Sequence, residues 1–308
     1  MDTISTILDS FHLEASVFER ARFCGNWAMT HAGGGHACFH LVASGQCWLD
    51  RLDGREPMAL AGGDLLVMPR DAPHRLGPAP HIGADREPER CALTDEDAAG
   101  PGLVCGYFGF AEGTMNPILD ALPDYLLIRG PEVVASESLH GVVDLLVREA
   151  GRDAVGAAAM INHLSDALFI EVLRHYLRTT EQPVGLLAAL GDPVVQRALQ
   201  LIHGQPARAW NLSALAREVA ASRSVLAERF AHYLGVGPMT YLFRWRMQLA
   251  RRWLRGGESV SRVAGACGYA SESGFSKAFA RYYGHGPGAV RRGAVDNAAA
   301  STEPPAPA

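Results

Sequence analysis

Three side chains in the front third of the chain combine ligand chemistry with apolar surroundings: His40, His74 and Cys105. Two imidazoles and a thiolate are a sound donor set for one zinc or another transition metal ion such as copper, with His31, His36 or Cys24 as further donors. The same residue types support different chemistry. A histidine beside a cysteine lowers the thiol pKa, and on that reading Cys24, Cys91 and Cys105 are oxidant targets. A buried cysteine also serves as a small hydrophobe and a strand histidine as a satisfied core residue, which leaves an organic ligand or a plain scaffold as the third alternative. The six cysteines are irregularly spaced without a CxxC pair, which fits reduced thiols in a cytoplasmic protein better than a disulfide framework. The chain has no Gly-rich phosphate loop, no Ser-His-Asp grouping and no HExxH motif.

Strands have to position these side chains. Between about residues 23 and 110 the apolar runs are short (38–42, 47–49, 65–68 and 103–110) and separated by turns such as Ser44-Gly45 and Gly62-Gly63. That pattern predicts a small barrel or sandwich, and closure into a barrel would point His40, His74 and Cys105 inward together. The polar stretch 78–101 reads as an exposed, mobile connection. After Pro131 the period becomes helical, with helices expected over 132–150 and 155–178 as an intradomain cap or a dimer interface. The composition of 294–308 predicts disorder.

Charge divides the chain. The whole carries a formal −5, yet residues 193–293 hold 15 Lys plus Arg against 4 Asp plus Glu, a net +11, while residues 1–192 carry −14. A basic module gains counterion-release energy on double-stranded DNA, and an acidic partner stays clear of the phosphates. No signal peptide and no membrane partner are expected, since no run of 18 or more apolar residues is present.

The basic module repeats itself. Residues 222–238 and 271–287, offset by 49, are identical at 8 of 17 positions. In each copy a serine (Ser222, Ser271) precedes a helical run as an N-cap, an apolar pair (Leu226 and Phe230, Phe275 and Phe279) forms one face, and a glycine followed by a proline ends it. A shorter apolar helix lies ahead of each, over 212–220 after Asn211 and over 260–267. Helix, tight turn, helix is the helix-turn-helix layout, and the two units are joined by a long helix over 238–254. Facing away from the apolar pairs are Arg223, Ser224, Ala227 and Glu228 on the first recognition helix, and Glu272, Ser273, Ser276 and Lys277 on the second. Arg223 suits a guanine, Ser224 and Ser273 a base or phosphate, and Glu272 a cytosine. Arg244, Arg246, Arg281 and the arginines at 251 and 252 suit phosphates.

The last hundred residues closely resemble the DNA-binding domain of the AraC/XylS regulators: residues 241–250 (YLFRWRMQLA) are similar to that family's linker helix, and residues 268–279 with Gly286-Pro287 to its second unit. One departure is Gly265-Ala266, a glycine inside the penultimate helix that costs roughly 1 kcal/mol against alanine. Less strongly, the front half resembles cupin-type sensor domains. Gly63-Asp64-Leu65-Leu66-Val67-Met68-Pro69 followed by His74 is similar to the second cupin motif, and His40 stands near the first, without the full HxH…E pattern or an evident carboxylate ligand. The resemblance implies an α+β chain: a cupin-like β-barrel sensor over 1–130, a helical extension over 131–190 that could dimerise, a two-unit DNA-binding domain over 191–293 and a tail over 294–308. It further implies a sequence-specific regulator, usually an activator acting beside RNA polymerase, commonly a homodimer and answering a small effector, and not an enzyme. The competing readings are a metal-dependent cupin enzyme with an accessory DNA-binding domain, and a structural nucleoid-associated protein that would barely discriminate an operator from random sequence.

Overall fold

The computed structural model describes residues 4–5, 8, 13–33, 36–81, 83, 86–95, 97–110 and 116–293; the tail expected to be disordered lies outside them. The chain forms two compact units, His12–Pro183 and Met1–Phe11 with Val184–Ala308.

Among the described residues the first unit carries ten strands: β1 (Glu14–Cys24), β2 (Met29–His31), β3 (Ala37–Ser44), β4 (Gln46–Asp50), β5 (Met58–Ala61), β6 (Leu65–Met68), β7 (His74–Gly77), β8 (Glu89–Cys91), β9 (Gly102–Gly109) and β10 (Leu126–Ile128). They build a six-stranded sheet ordered β10-β6-β3-β9-β1-β8 and a four-stranded sheet ordered β2-β7-β4-β5. The barrel expected from the sequence does not close: among the described residues no ladder joins the edges β10 and β8 to each other or to β2 and β5. The chain changes sheet at the turn Ser44-Gly45. There the chain leaves the first sheet, so that β4 pairs with β5 and β7 rather than with β3. Gly45 makes this turn at φ +75°, with its backbone so close to Pro101 that a Cβ would stand 3.0 Å from that residue's Cα. The result is two sheets sharing an apolar core that includes Phe23, Val42, Leu49, Leu60, Leu66 and Leu103.

Strand β3 is buried from Ala37 to Val42, as its nearly unbroken apolar run requires. Residues 38, 40 and 42 pair with 107, 105 and 103 of β9, and 37, 39 and 41 with 108, 106 and 104, so both strands divide into the same two faces. One face joins the shared core. On the other, Phe39 stacks on Phe108 at 4.8 Å and Phe108 meets Phe169 at 4.9 Å, a residue of the helix α3 (Ala157–Thr179). The helical stretch predicted over 132–150 is two helices, α1 (Gly130–Ala135) and α2 (Glu137–Ala150). Buried Asp64 fixes the entry to α1: its Oδ1 accepts from Gly130 N at 2.8 Å and its Oδ2 from Arg129 Nη1 at 2.8 Å.

The second unit is helical: α4 (Gly185–Ala189), α5 (Pro193–Gly204), α6 (Leu212–Glu218), α7 (Arg223–Leu234), α8 (Pro238–Arg255), α9 (Val260–Ala266), α10 (Glu272–Tyr283) and α11 (Pro287–Arg291). The serine and asparagine caps read from the sequence all accept hydrogen bonds, Asn211 from Ala214 N, Ser222 from Val225 N and Ser271 from Gly274 N. Gly265 is exposed on α9, and a Cβ there would meet nothing within 4 Å. Gly265→Ala should therefore stabilise this unit by about 0.5–1 kcal/mol, read as a higher urea midpoint. Among the described residues no helix is long and apolar enough to cross a membrane.

His203 of α5 sets a pH limit on this unit. It is buried against Trp245, with ring centroids 4.2 Å apart, and its Nε2 lies 3.0 Å from the Tyr241 hydroxyl. Burial pushes its pKa down to about 3. An unfolded histidine titrates near ~6.5, so below that value the unfolded chain takes up a proton that the folded one refuses, and stability present at neutral pH is lost as the pH falls. Between pH 7 and pH 5 the loss should be about 2 kcal/mol. Denaturant titrations at the two pH values check this, and His203→Gln should flatten the difference.

Candidate sensor cluster and DNA-binding surface

Alternate residues of a strand share a face, so Cys38 and His40 of β3 project from the six-stranded sheet on the same side. His74 opens β7 of the other sheet and is the direct cross-strand partner of His31 on β2. The turn before β7 carries Asp71, held at a left-handed φ of 52°. These five residues meet. The Nε2 atoms of His40 and His74 are 2.8 Å apart, and Cys38 Sγ lies 4.0 Å from His40 Nε2. The ligand atoms of Cys38, His40 and His74 lie within 4.8 Å of one another, and so do those of His31, Cys38 and Asp71. All but His31 are buried.

The hydrogen bonds fix the tautomers. His74 Nδ1 faces the Ala72 carbonyl at 2.8 Å and must donate to it, which leaves a lone pair on Nε2. His40 Nε2 then donates to that lone pair, and the bare Nδ1 of His40 is buried without a partner among the described residues. Burial, reinforced by His74 and His31, holds His40 well below the usual histidine range, and burial lowers His74 likewise. Both imidazoles are therefore neutral, the form that binds metal. Burial and then Asp71 push the Cys38 thiol up. A cavity of about 480 Å³ opens beside the cluster, lined among others by Phe18, His31, His40, His74, Leu76 and Arg86.

Of the three ligands read from the sequence, His40 and His74 come together and the thiol beside them is that of Cys38. Cys105 is the cross-strand partner of His40, but its side chain belongs to the apolar core, where burial and then Cys47 raise its pKa. His36 contributes its backbone N–H, which donates to Asp71 Oδ2 at 3.3 Å. Cys24 lies elsewhere, on the edge pair β1–β8, where its Sγ is 3.1 Å from that of Cys91. Both thiols are free and half-buried, and the Cys91 pKa is raised to about 11, chiefly by its hydrogen bond with Cys24.

In the second unit, Leu226 and Phe230 of α7 and Phe275 and Phe279 of α10 are fully buried. This leaves Arg223, Ser224 and Glu228 exposed on α7, with Ala227 half-buried. On α10, Glu272, Ser273 and Lys277 are exposed and Ser276 is half-buried. Each recognition helix follows a short helix across a tight turn, and α8 joins the two units.

Relatives with this architecture regulate transcription. A cupin family profile matches residues 2–178 and a helix-turn-helix domain profile matches residues 215–293. An AraC-like transcription regulator of Streptomyces antibioticus is 34% identical, covering 94% of this chain and 97% of the relative. Another from Streptomyces lividans is 32% identical over the same shares. The RCS-specific HTH-type transcriptional activator RclR of Escherichia coli (strain K12) is 25% identical over 94% of this chain and 97% of its own. The chain belongs to the AraC/XylS family of transcription regulators.

This AraC/XylS regulator is accordingly a sequence-specific DNA-binding protein with a cupin sensor domain, and its relatives are regulators rather than enzymes. The arginines expected at phosphates differ in their surroundings. Arg281, on α10, is exposed, with its guanidinium 5.8 Å from the Phe243 ring, and Arg244 is half-buried. Arg246 points into the domain: its Nε donates to Pro206 O and its Nη2 to Arg208 O, both at 2.8 Å. Two residues of the sensor cluster, Cys38 and Asp71, stand outside the ligand set that the sequence suggests. Cys38 was legible in the spacing Cys38-Phe39-His40, and Asp71 in the turn Pro69-Arg70-Asp71-Ala72-Pro73 just before His74.

Proposed function

We propose that this regulator is an activator whose DNA binding is set by a metal ion held by Cys38, His40 and His74, with zinc as the ion of choice. The observation that carries the reading is the 2.8 Å approach of two buried, neutral imidazoles beside a thiol. A neutral His74 whose Nδ1 donates to a backbone carbonyl is oriented as metal-ligating histidines usually are, and two nitrogens with one sulfur suit Zn²⁺. On binding, the Nε2 proton of His40 would move to Nδ1, which is buried without a partner among the described residues, and Cys38 would release one.

The regulator works in the cytoplasm, on double-stranded DNA. Arg223, Ser224, Ala227 and Glu228 face one major groove and Glu272, Ser273, Ser276 and Lys277 the next, while Arg244 and Arg281 meet phosphates. The chain divides as sensor (1–130), helical extension (131–190), DNA-binding domain (191–293) and tail (294–308). It acts beside RNA polymerase as a homodimer. Exposed Val134, Leu145 and Met160 on the helical extension support the dimer, and the cavity beside the cluster supports a small effector.

The test is the metal content of untagged protein purified anaerobically without chelator, measured by mass spectrometry. Near-stoichiometric metal that is lost in His40→Ala and His74→Ala, together with operator affinity that changes on chelation, is the expected result. Metal-free protein whose operator binding ignores added zinc overturns the reading.

The thiol pair supports a second reading. At 3.1 Å, Cys24 and Cys91 need little movement to close a disulfide. A peroxide would oxidise one thiol to a sulfenic acid, and the other sulfur would displace water, so that two electrons and two protons leave the pair. Peroxide-treated protein should then show a Cys24–Cys91 disulfide by peptide mass mapping and altered operator affinity. Cys24→Ser should abolish both.

A further inference from the structure

The metal reading uses three donors and leaves His31 and Asp71 unexplained. Both are built into the site. Asp71 has its carboxylate almost fully buried, is held in a left-handed conformation that few non-glycine residues adopt, and packs under Gly33, where a Cβ would stand 3.0 Å from Asp71 O. Strain of this kind is kept where the surroundings impose it, commonly at functional sites. Its Oδ1 receives His31 Nε2 at 2.7 Å, its Oδ2 receives the His36 N–H, and its carboxylate is hydrogen-bonded to the Cys38 thiol. His31 faces the cavity and lies 5.2 Å from the His74 ring.

Five donors could surround one ion only if they converged on one point. With Zn–N near ~2.0–2.1 Å and Zn–S near ~2.3 Å, any two ligands of the same ion lie within about 4.4 Å of each other. The donors instead fall into two groups of three within a 4.8 Å limit, Cys38 with His40 and His74, and Cys38 with His31 and Asp71. Cys38 is the one member common to both. We propose that the sensor holds two zinc ions bridged by the Cys38 thiolate, one completed by His40 and His74 and the other by His31 and Asp71. A thiolate has lone pairs for two soft or borderline ions, and paired metal sites at ~3.5–4 Å are established chemistry. Loading releases the Cys38 proton to solvent, and the Nε2 protons of His31 and His40 move to their Nδ1 atoms. The second site borders the cavity, so its ion would be the one exposed to a small molecule entering there.

The inference rests on the metal reading above, and the experiment separates the two. Full-length protein is titrated with Zn²⁺ against a competing chelator and weighed by native mass spectrometry. The same titration with Co²⁺ is followed by electron paramagnetic resonance, because two high-spin ions sharing one sulfur couple magnetically. Two zinc ions per chain are expected in the wild type and one in Asp71→Asn and His31→Gln. The cobalt signal should grow to the first equivalent and fall at the second. Asparagine tolerates the left-handed backbone at position 71 and keeps the size of the buried aspartate, and His31 is partly exposed, so neither change opens a cavity in the core. One ion in the wild type, or two without magnetic coupling, overturns the bridged pair while leaving a metal sensor standing. No ion at all overturns both.

Discussion

Arg246→Ala should cost the DNA-binding unit about 2–4 kcal/mol of stability, and Arg246→Lys should recover little of it. The guanidinium is half-buried and donates to two backbone carbonyls, Pro206 O and Arg208 O, in the segment between α5 and α6. Hydrogen bonds from a charged donor contribute about 1.5–3 kcal/mol each, and truncation leaves the part-buried Pro206 carbonyl without its donor while the exposed Arg208 carbonyl turns to water. Lysine offers a single ammonium in place of a planar fork and cannot span both carbonyls in the same geometry. The residue also ties together the two helix-turn-helix halves of this unit, since its own carbonyl accepts from the Cys267 thiol and its Nη2 lies where a Cβ on Gly268 would come within 2.8 Å. Gly268, at φ +75°, would also drive a Cβ to 2.5 Å from Ala207 O, so Gly268→Ala should fail in the same way. Urea denaturation followed by tryptophan fluorescence measures the loss. Sequence pattern suggests phosphate contact for this arginine, and that role has a different signature: normal stability, weaker binding to all DNA, and a salt slope reduced by about one. A variant with that profile would show that the carbonyl contacts give way to phosphate on DNA.

The same arginine illustrates what the sequence hides. Periodicity locates the helices of the basic module closely because their caps, apolar faces and terminal glycines are all local signals. Ser222, Ser271 and Asn211 cap as read, and Phe230 and Phe279 are buried as read. Which exposed-looking arginine turns inward depends on carbonyls some 40 residues away, and no local pattern carries that. Strand β1 is hidden from the sequence for a related reason. Its register slips between Val17 and Glu19, so Ala15 pairs with Phe108 on the helix-covered face and Ala21 with Leu103 on the core face, although six residues apart they would share a face in an unbroken strand. Strand β8 is three residues long and lies in a polar stretch that reads as a loop. In the sensor cluster, the sequence marks His40 and His74 as polar residues within apolar runs. The register puts Cys38 and Cys105 on the same side of the sheet as His40, so the choice between them depends on which thiol the fold brings beside His74, and whether the sheets close depends on long-range strand pairing.

Alanine at both Arg223 and Glu272 should lower discrimination between operator and random DNA by about 2–6 kcal/mol, and by about 1–3 kcal/mol for either alone, since each good base contact contributes that much. Both side chains are exposed at the first turn of a recognition helix, Arg223 on α7 and Glu272 on α10, the end from which base edges are reached. They sit on different helix-turn-helix units, so their effects should add. Their signs on non-specific DNA differ, and this makes the test sharp. Arg223→Ala removes a positive charge and weakens binding to random sequence slightly. Glu272→Ala removes a negative charge from the surface proposed to meet DNA, so random-sequence affinity should rise while operator preference falls. Arg281→Ala, a phosphate-contact candidate, should weaken both equally and reduce the salt slope by about one. Binding isotherms at two salt concentrations, on an operator fragment and a scrambled one, separate the three patterns. If Glu272→Ala left operator preference intact, the second recognition helix would be holding the backbone rather than reading bases, and specificity would rest on the first unit alone.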